Sequence, residues 1–157
     1  MATQIARFLS ASAIQGSADS YKETAITTEL IPANGFAFSI KKMEFCLADT
    51  GATLIQNVAQ RLLVALSRDT KAAMPELSDA DVLYKKSIDF GAVTSGGLEI
   101  ERSFEYAPAG GLFIVEPTIY LQFDTTATSI ANTLYARIFY EEIKLSEVEI
   151  LRLLNNA

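Results

Sequence analysis

The chain has no histidine, no tryptophan and a single cysteine in 157 residues. Without histidine there is no imidazole general base, no Ser-His-Asp or Cys-His pair, and no zinc site built on imidazole. The lone Cys46 excludes an intramolecular disulfide; its apolar neighbours Phe45 and Leu47 predict a buried, inert thiol. Charge is also scarce, with 20% charged residues against about 25% in an average soluble domain. The balance is acidic, at -6, and the first 21 residues carry only one basic side chain, Arg7. Binding to nucleic acid through phosphate neutralisation is therefore expected to be weak or indirect at most. No apolar run approaches the 18 residues of a membrane helix, and Met1-Ala2-Thr3-Gln4 does not open a signal peptide, so a soluble cytosolic product with no membrane partner is expected.

What is present is alternation. Half of the residues are apolar, and most of them recur every second position, the period of a strand with one face in the core. The reading is all-β: one antiparallel β-sandwich domain over 1–157, with 1–20 as an extended N-terminal segment and a short C-terminal α-helix at 146–155. A chain of this length buries roughly 70% of its unfolded surface in one core and needs no staples. Half apolar and poor in charge, it is also expected to hide surface in a partner.

Strands are expected over Gln4 to Ala13 and Tyr21 to Ile31, with Pro32-Ala33-Asn34-Gly35 punctuating the chain. Phe36, Phe38 and Ile40 then share one parity and Met43, Phe45 and Leu47 the other, which predicts a β-bulge at Lys41-Lys42. Leu54 to Leu66 fits either a helix or a strand; the β surroundings favour a strand from Gln60 to Arg68. A long connection follows, with Ser78 expected to cap a helical turn over 78–81. Val82 to Phe90, Leu98 to Tyr106 and Leu112 to Phe123 supply further strands, and Pro117 marks an edge, a bulge or a change of sheet. Ala131 to Ile143 is apolar at both parities and is expected to be central and covered on both faces. Ser146 and Glu149 form a capping box, with Leu145 and Ile150 as its hydrophobic staple.

Candidate chemistry is thin. Glu99 and Glu101 share a strand face at about 6.5–7 Å, compatible with a glycosidase carboxylate pair, but with Glu105 they read better as the wet side of a strand. Glu76, Asp79 and Asp81 offer calcium-like oxygens without the glycine or terminal glutamate of an EF-hand. Gly96-Gly97 and Gly110-Gly111 lack the Lys-Ser or Lys-Thr of a phosphate loop. The tyrosines at 21, 84, 106, 120, 135 and 140 fit a core or an interface better than a sugar platform. No catalytic residue, metal ligand or cofactor is assigned, and the chain is not expected to be an enzyme. Lys41, Lys42, Lys85 and Lys86 hold more than half of its lysines and would form a basic patch if their strands were neighbours.

Eight or nine strands broken by Gly and Pro turns, with Thr-, Ser- and Ala-rich loops, an extended N-terminal segment and a terminal element free to dock, resemble the jelly-roll coat protein of a small icosahedral virus or bacteriophage. The resemblance lies in layout, and the basic arm common in small RNA viruses is missing. It implies a virion protein made in the host cytoplasm, whose partners are many copies of itself. Interface residues would then be Ile5, Phe8 and Leu9 near the start and Ile150, Leu151 and Leu154 in the helix. The alternative is a ligand-binding β-sandwich, carbohydrate-binding or cytokine-like, with one concave site and a small fixed oligomeric state.

Overall fold

The computed structural model describes residues 7–48, 59–90, 103–109, 112–126 and 131–155. Among the described residues, nine strands form two antiparallel sheets. Sheet A holds β1 (Arg7–Ile14), β9 (Thr133–Lys144), β3 (Phe36–Leu47) and β6 (Ser103–Tyr106) in that order, with β7 (Leu112–Ile114) pairing the first half of β3. Sheet B holds β2 (Lys22–Thr27), β8 (Thr118–Thr126), β4 (Gln60–Ser67) and β5 (Val82–Phe90). If β6 and β7 count as one interrupted strand, each sheet has four strands, and every connection between successive strands changes sheet except that from β4 to its sheet neighbour β5. This is the jelly-roll topology, two Greek keys folded face to face.

The bulge on β3 sets the register of sheet A. Pairing with β9 slips between Ile40 and Lys42, so Phe38 and Ile40 before it and Met43, Phe45 and Leu47 after it all enter one core. Without the extra residue one of the two groups would face outward. Pro117 marks a change of sheet, between β7 in A and β8 in B. Gln60–Ser67 is a strand, buried between β5 and β8; Leu54 and Glu99 to Glu101 lie outside the described residues.

Three expectations are corrected. β2 stops at Thr27, and Glu29 turns with φ 61°; between them Thr28 stays tied to the segment before β8, its N–H donating to the Pro117 carbonyl at 3.0 Å and its hydroxyl to the Glu116 carbonyl at 2.6 Å. Residues 76–82 form two tight turns, Asp79 N–H to the Glu76 carbonyl and Val82 N–H to the Asp79 carbonyl, not a capped helical turn. β9 is central, but only one of its faces is covered: Leu134, Ala136 and Ile138 are buried while Tyr135 and Arg137 are exposed.

Helix α1 (Glu147–Asn155) is docked within the chain. Ile150 is 4% exposed against Ala37 and Val115, with Ile143, Leu145 and Leu153 around it. Its first turn carries the capping box: Ser146 Oγ accepts from Glu149 N–H at 3.3 Å, and the Glu149 carboxylate accepts from Ser146 N–H at 2.8 Å. Its last turn is held by Arg68, which donates to the Leu153 carbonyl at 3.2 Å and pairs with Glu116 at 3.2 Å in a largely buried setting. Gly35, at φ 75°, closes the short 3-10 turn Pro32–Asn34 beside the helix; a Cβ there would lie 3.1 Å from the Leu145 carbonyl.

Candidate assembly surface

The outer face of sheet A is a lattice whose rows follow from strand pairing. After the bulge, the core takes Met43, Phe45 and Leu47, so Lys42, Glu44 and Cys46 point outward. Register then aligns Phe8, Phe139 and Lys42 in one row, Ser10, Arg137, Glu44 and Glu105 in the next, and Ser12, Tyr135, Cys46 and Ser103 in a third. Phe8 is 51% and Tyr135 53% exposed. A shallow depression of about 320 Å³ lies among Glu44, Cys46, Tyr135, Ala136 and Arg137.

Charges on this face engage one another. Lys42 bridges to Glu44 at 2.5 Å and Glu105 at 3.5 Å, and its ammonium sits 5.0 Å from the Phe139 ring centre. The hydrogen bond from Lys42 holds the Glu44 carboxyl below the usual range, helped by the nearby Arg137 charge, and raises Lys42 in turn. Arg137 also lies 5.7 Å from the centre of Phe8. Glu44 and Glu105 are directly paired across β3 and β6, an arrangement of like charges that disfavours the sheet unless cations compensate.

A second exposed apolar surface lies at the opposite end of sheet A. Ile31, Val148, Leu151 and Leu154 are exposed there. A groove of about 530 Å³ runs between Pro32–Gly35 and the Glu147, Ile150, Leu151 and Leu154 side of α1.

The structure places the sequence-derived candidates unevenly. Phe8, Leu151 and Leu154 face solvent. Leu9 packs against the core, since strand alternation turns it away from Phe8, and Ile150 is buried by the helix period that brings it to Ala37. Ile5 lies outside the described residues. The four lysines do not form a patch: β3 and β5 belong to different sheets. Lys41 pairs with Glu141 at 2.8 Å and Lys85 with Glu76 at 3.1 Å, while Lys86 lies over the Phe104 ring. Lys71 takes Asp81 at 2.9 Å and Asp79 at 3.6 Å, so the carboxylates weighed against a calcium site are engaged by lysines. No cluster with metal-ligand geometry occurs among the described residues.

Cys46 overturns its expectation, because it is exposed. Phe45 and Leu47 flank it in sequence but occupy the opposite face of the strand, so their burial predicts its exposure. Sequence reasoning did not single out Arg137 and Glu44, and it grouped Tyr135 with the tyrosines of a core or an interface. Their signal was the second parity of β9 combined with the offset left by the bulge.

No protein-family model matches the chain, and no curated protein matches it in sequence. Among solved structures, the chain is similar to one from tomato aspermy virus, at 9% identity and TM-score 0.46, over 91% of this chain and 81% of that one. It is also similar to the low-affinity xylan-binding module CBM86 of Roseburia intestinalis, at 13% identity and TM-score 0.35, over 88% and 97%. Both are β-sandwich folds.

Proposed function

We propose that this protein is a structural subunit that assembles with many copies of itself into a closed shell, as the coat protein of a virus or virus-like particle. The observation that carries this reading is the presence of two separate exposed apolar surfaces at opposite ends of sheet A, the Phe8–Tyr135 lattice and the Ile31–Leu154 end. A subunit with two distinct sticky surfaces joins more than one neighbour, and repeated contacts close into a shell even when each is modest. Shape and carboxylate–lysine pairing are the chemistry on offer, which suits a scaffold. With Lys41, Lys42, Lys71 and Lys85 engaged by carboxylates, a genome would be enclosed through another component or through weak contacts. Residence in the virion, after synthesis in the host cytoplasm, belongs to the same proposal.

The groove beside α1 favours a second reading, a ligand-binding module, because its size falls in the range of small-molecule sites. It ranks second because the lining offers only Asn34 and Glu147 as polar side chains to orient a ligand.

Negative-stain electron microscopy with light scattering on the purified protein, at neutral pH across salt and concentration, tests the proposal. Uniform closed particles are expected. A monodisperse monomer or trimer under all conditions overturns it, and a glycan-binding screen then addresses the groove.

A further inference from the structure

We propose that the outer lattice of sheet A is a two-fold contact with a second copy of this chain, the axis running parallel to the strands along the seam between β9 and β3. The argument is charge complementarity. On the middle row, Ser10 and Arg137 lie on one side of that seam and Glu44 and Glu105 on the other. A two-fold rotation about the seam turns one copy onto the other with rows aligned and sides exchanged. Arg137 of each copy then meets Glu44 of its mate, and the Glu44–Glu105 pair, which Lys42 already bridges within its own subunit, gains a further cation from outside. The flanking rows follow the same rule: Phe139 meets the mate's Lys42, a cation–π pairing already made within the chain, and Tyr135 meets the mate's Cys46. An axis across the strands through the middle row would instead stack arginine on arginine and glutamate on glutamate.

The three rows and four strands cover roughly 20 Å by 20 Å, or about 400 Å² per copy, half the usual size of a stable interface. Because α1 lies at the other end of sheet A, the copies meet as a wedge closed over Cys46 and open toward the helices. The contact is therefore weak alone and gains from other contacts in an assembly. It deepens the shell reading by naming one of its contacts, and rests on that reading only for the claim that copies associate.

Cys46, the chain's single cysteine, reports on the contact. In face-to-face sheets its mate lies about 10 Å across and about 5 Å sideways, too far for a disulfide but within reach of a short bis-maleimide. The experiment cross-links concentrated protein through Cys46 and compares the wild type with R137E and E44R, alone and mixed. Wild type is expected to give a covalent dimer. Each variant alone places like charges opposite one another twice and is expected to lose at least about tenfold in yield. Mixing the two restores both opposite-charge contacts, so the product is expected to be the heterodimer, identified by mass, at a yield near wild type. A purely structural role of either residue does not produce that rescue. Absence of a wild-type dimer at millimolar protein, or a mixture no better than its components, overturns the inference. Closed particles without a Cys46-linked dimer refute this contact and leave the shell reading standing; Cys46-linked dimers without particles do the reverse.

Discussion

The outer faces of the two sheets are finished differently. On sheet B, Ser67 and Gln122 point away from the core yet are fully buried, because the 68–81 connection is fastened over them as a strap. Glu23 is the fastener. Its carboxylate accepts from the Lys71 N–H at 2.7 Å, from Gln122 Nε2 at 3.1 Å and from the Thr70 hydroxyl. Tyr21 lies against it at 3.2 Å and donates to the Lys71 carbonyl at 2.9 Å. On sheet A, the equivalent face is closed only at the α1 end and leaves Phe8, Tyr135 and Cys46 open. One sheet is completed by its own chain; the other presents aromatic surface that a monomer gains nothing by exposing.

The largest expected effect comes from undoing the covered part of sheet A. Arg68→Ala leaves Glu116 buried without its partner and strips the Leu153 carbonyl of its donor. Removing one member of a buried pair costs about 3–5 kcal/mol. Urea denaturation should report a loss of this size. Loss below about 1 kcal/mol would mean that α1 is held by its apolar contacts alone, and the contrast between the covered and open ends of sheet A would lose its cause.

Next in size is the strap. Glu23→Ala leaves the Lys71 amide and Gln122 short of an acceptor, at a cost of about 2–3 kcal/mol. Hydrogen exchange at the Lys71 amide should accelerate, while amides of β1 and β9 stay protected. If exchange rises equally on both sheets, the strap is part of the global core and not a separate cover.

Acid should act on the same latch. Burial opposes ionisation of Glu23, but hydrogen bonds from Thr70, Gln122, the Lys71 N–H and Tyr21 outweigh it, and its pKa falls below the ordinary 4.5. A carboxylate depressed in the folded state contributes stability that is complete above its unfolded pKa and disappears as pH falls through the folded one. Asp124 runs the opposite way: burial, with Asp19 nearby, raises its pKa, so protonation there favours the fold. The difference in stability between wild type and Glu23→Gln isolates the latch. It should be constant near neutrality and shrink below about pH 4, read from urea melts at each pH. A difference that stays constant down to pH 2 would show that charge on Glu23 contributes nothing to the strap.

These features were legible in the sequence to different degrees, for physical reasons. The β3 bulge and the capping box were readable because each is written locally, one as a switch of parity at Lys41-Lys42 and the other as Ser146 and Glu149 three residues apart. The pairing of β1 with β9, whose partners lie 119 to 133 residues downstream, was not, since strand order depends on contacts that no local pattern encodes. The strap was invisible because Glu23, Thr70 and Gln122 are ordinary polar residues until the fold gathers them. Cys46 was misplaced by judging burial from its sequence neighbours, which in a strand occupy the other face, and Leu9 by assigning it with Phe8 to one interface although adjacent strand residues face opposite ways.

The smallest effect on stability is expected from the open lattice, and that smallness sharpens the comparison. Phe8→Ser and Tyr135→Ser remove aromatic surface that the isolated chain leaves half exposed. Each should change unfolding by no more than about 0.5 kcal/mol, as surface substitutions away from buried features do. Their effect belongs to association: light scattering of concentrated protein should show fewer or smaller assemblies for the pair than for wild type. A Glu23 variant should show the reverse, a weakened fold whose association through sheet A is intact as long as it stays folded. If Phe8→Ser and Tyr135→Ser destabilise the monomer by 2 kcal/mol or more, those rings are packing partners of their own chain, and sheet A is as complete as sheet B.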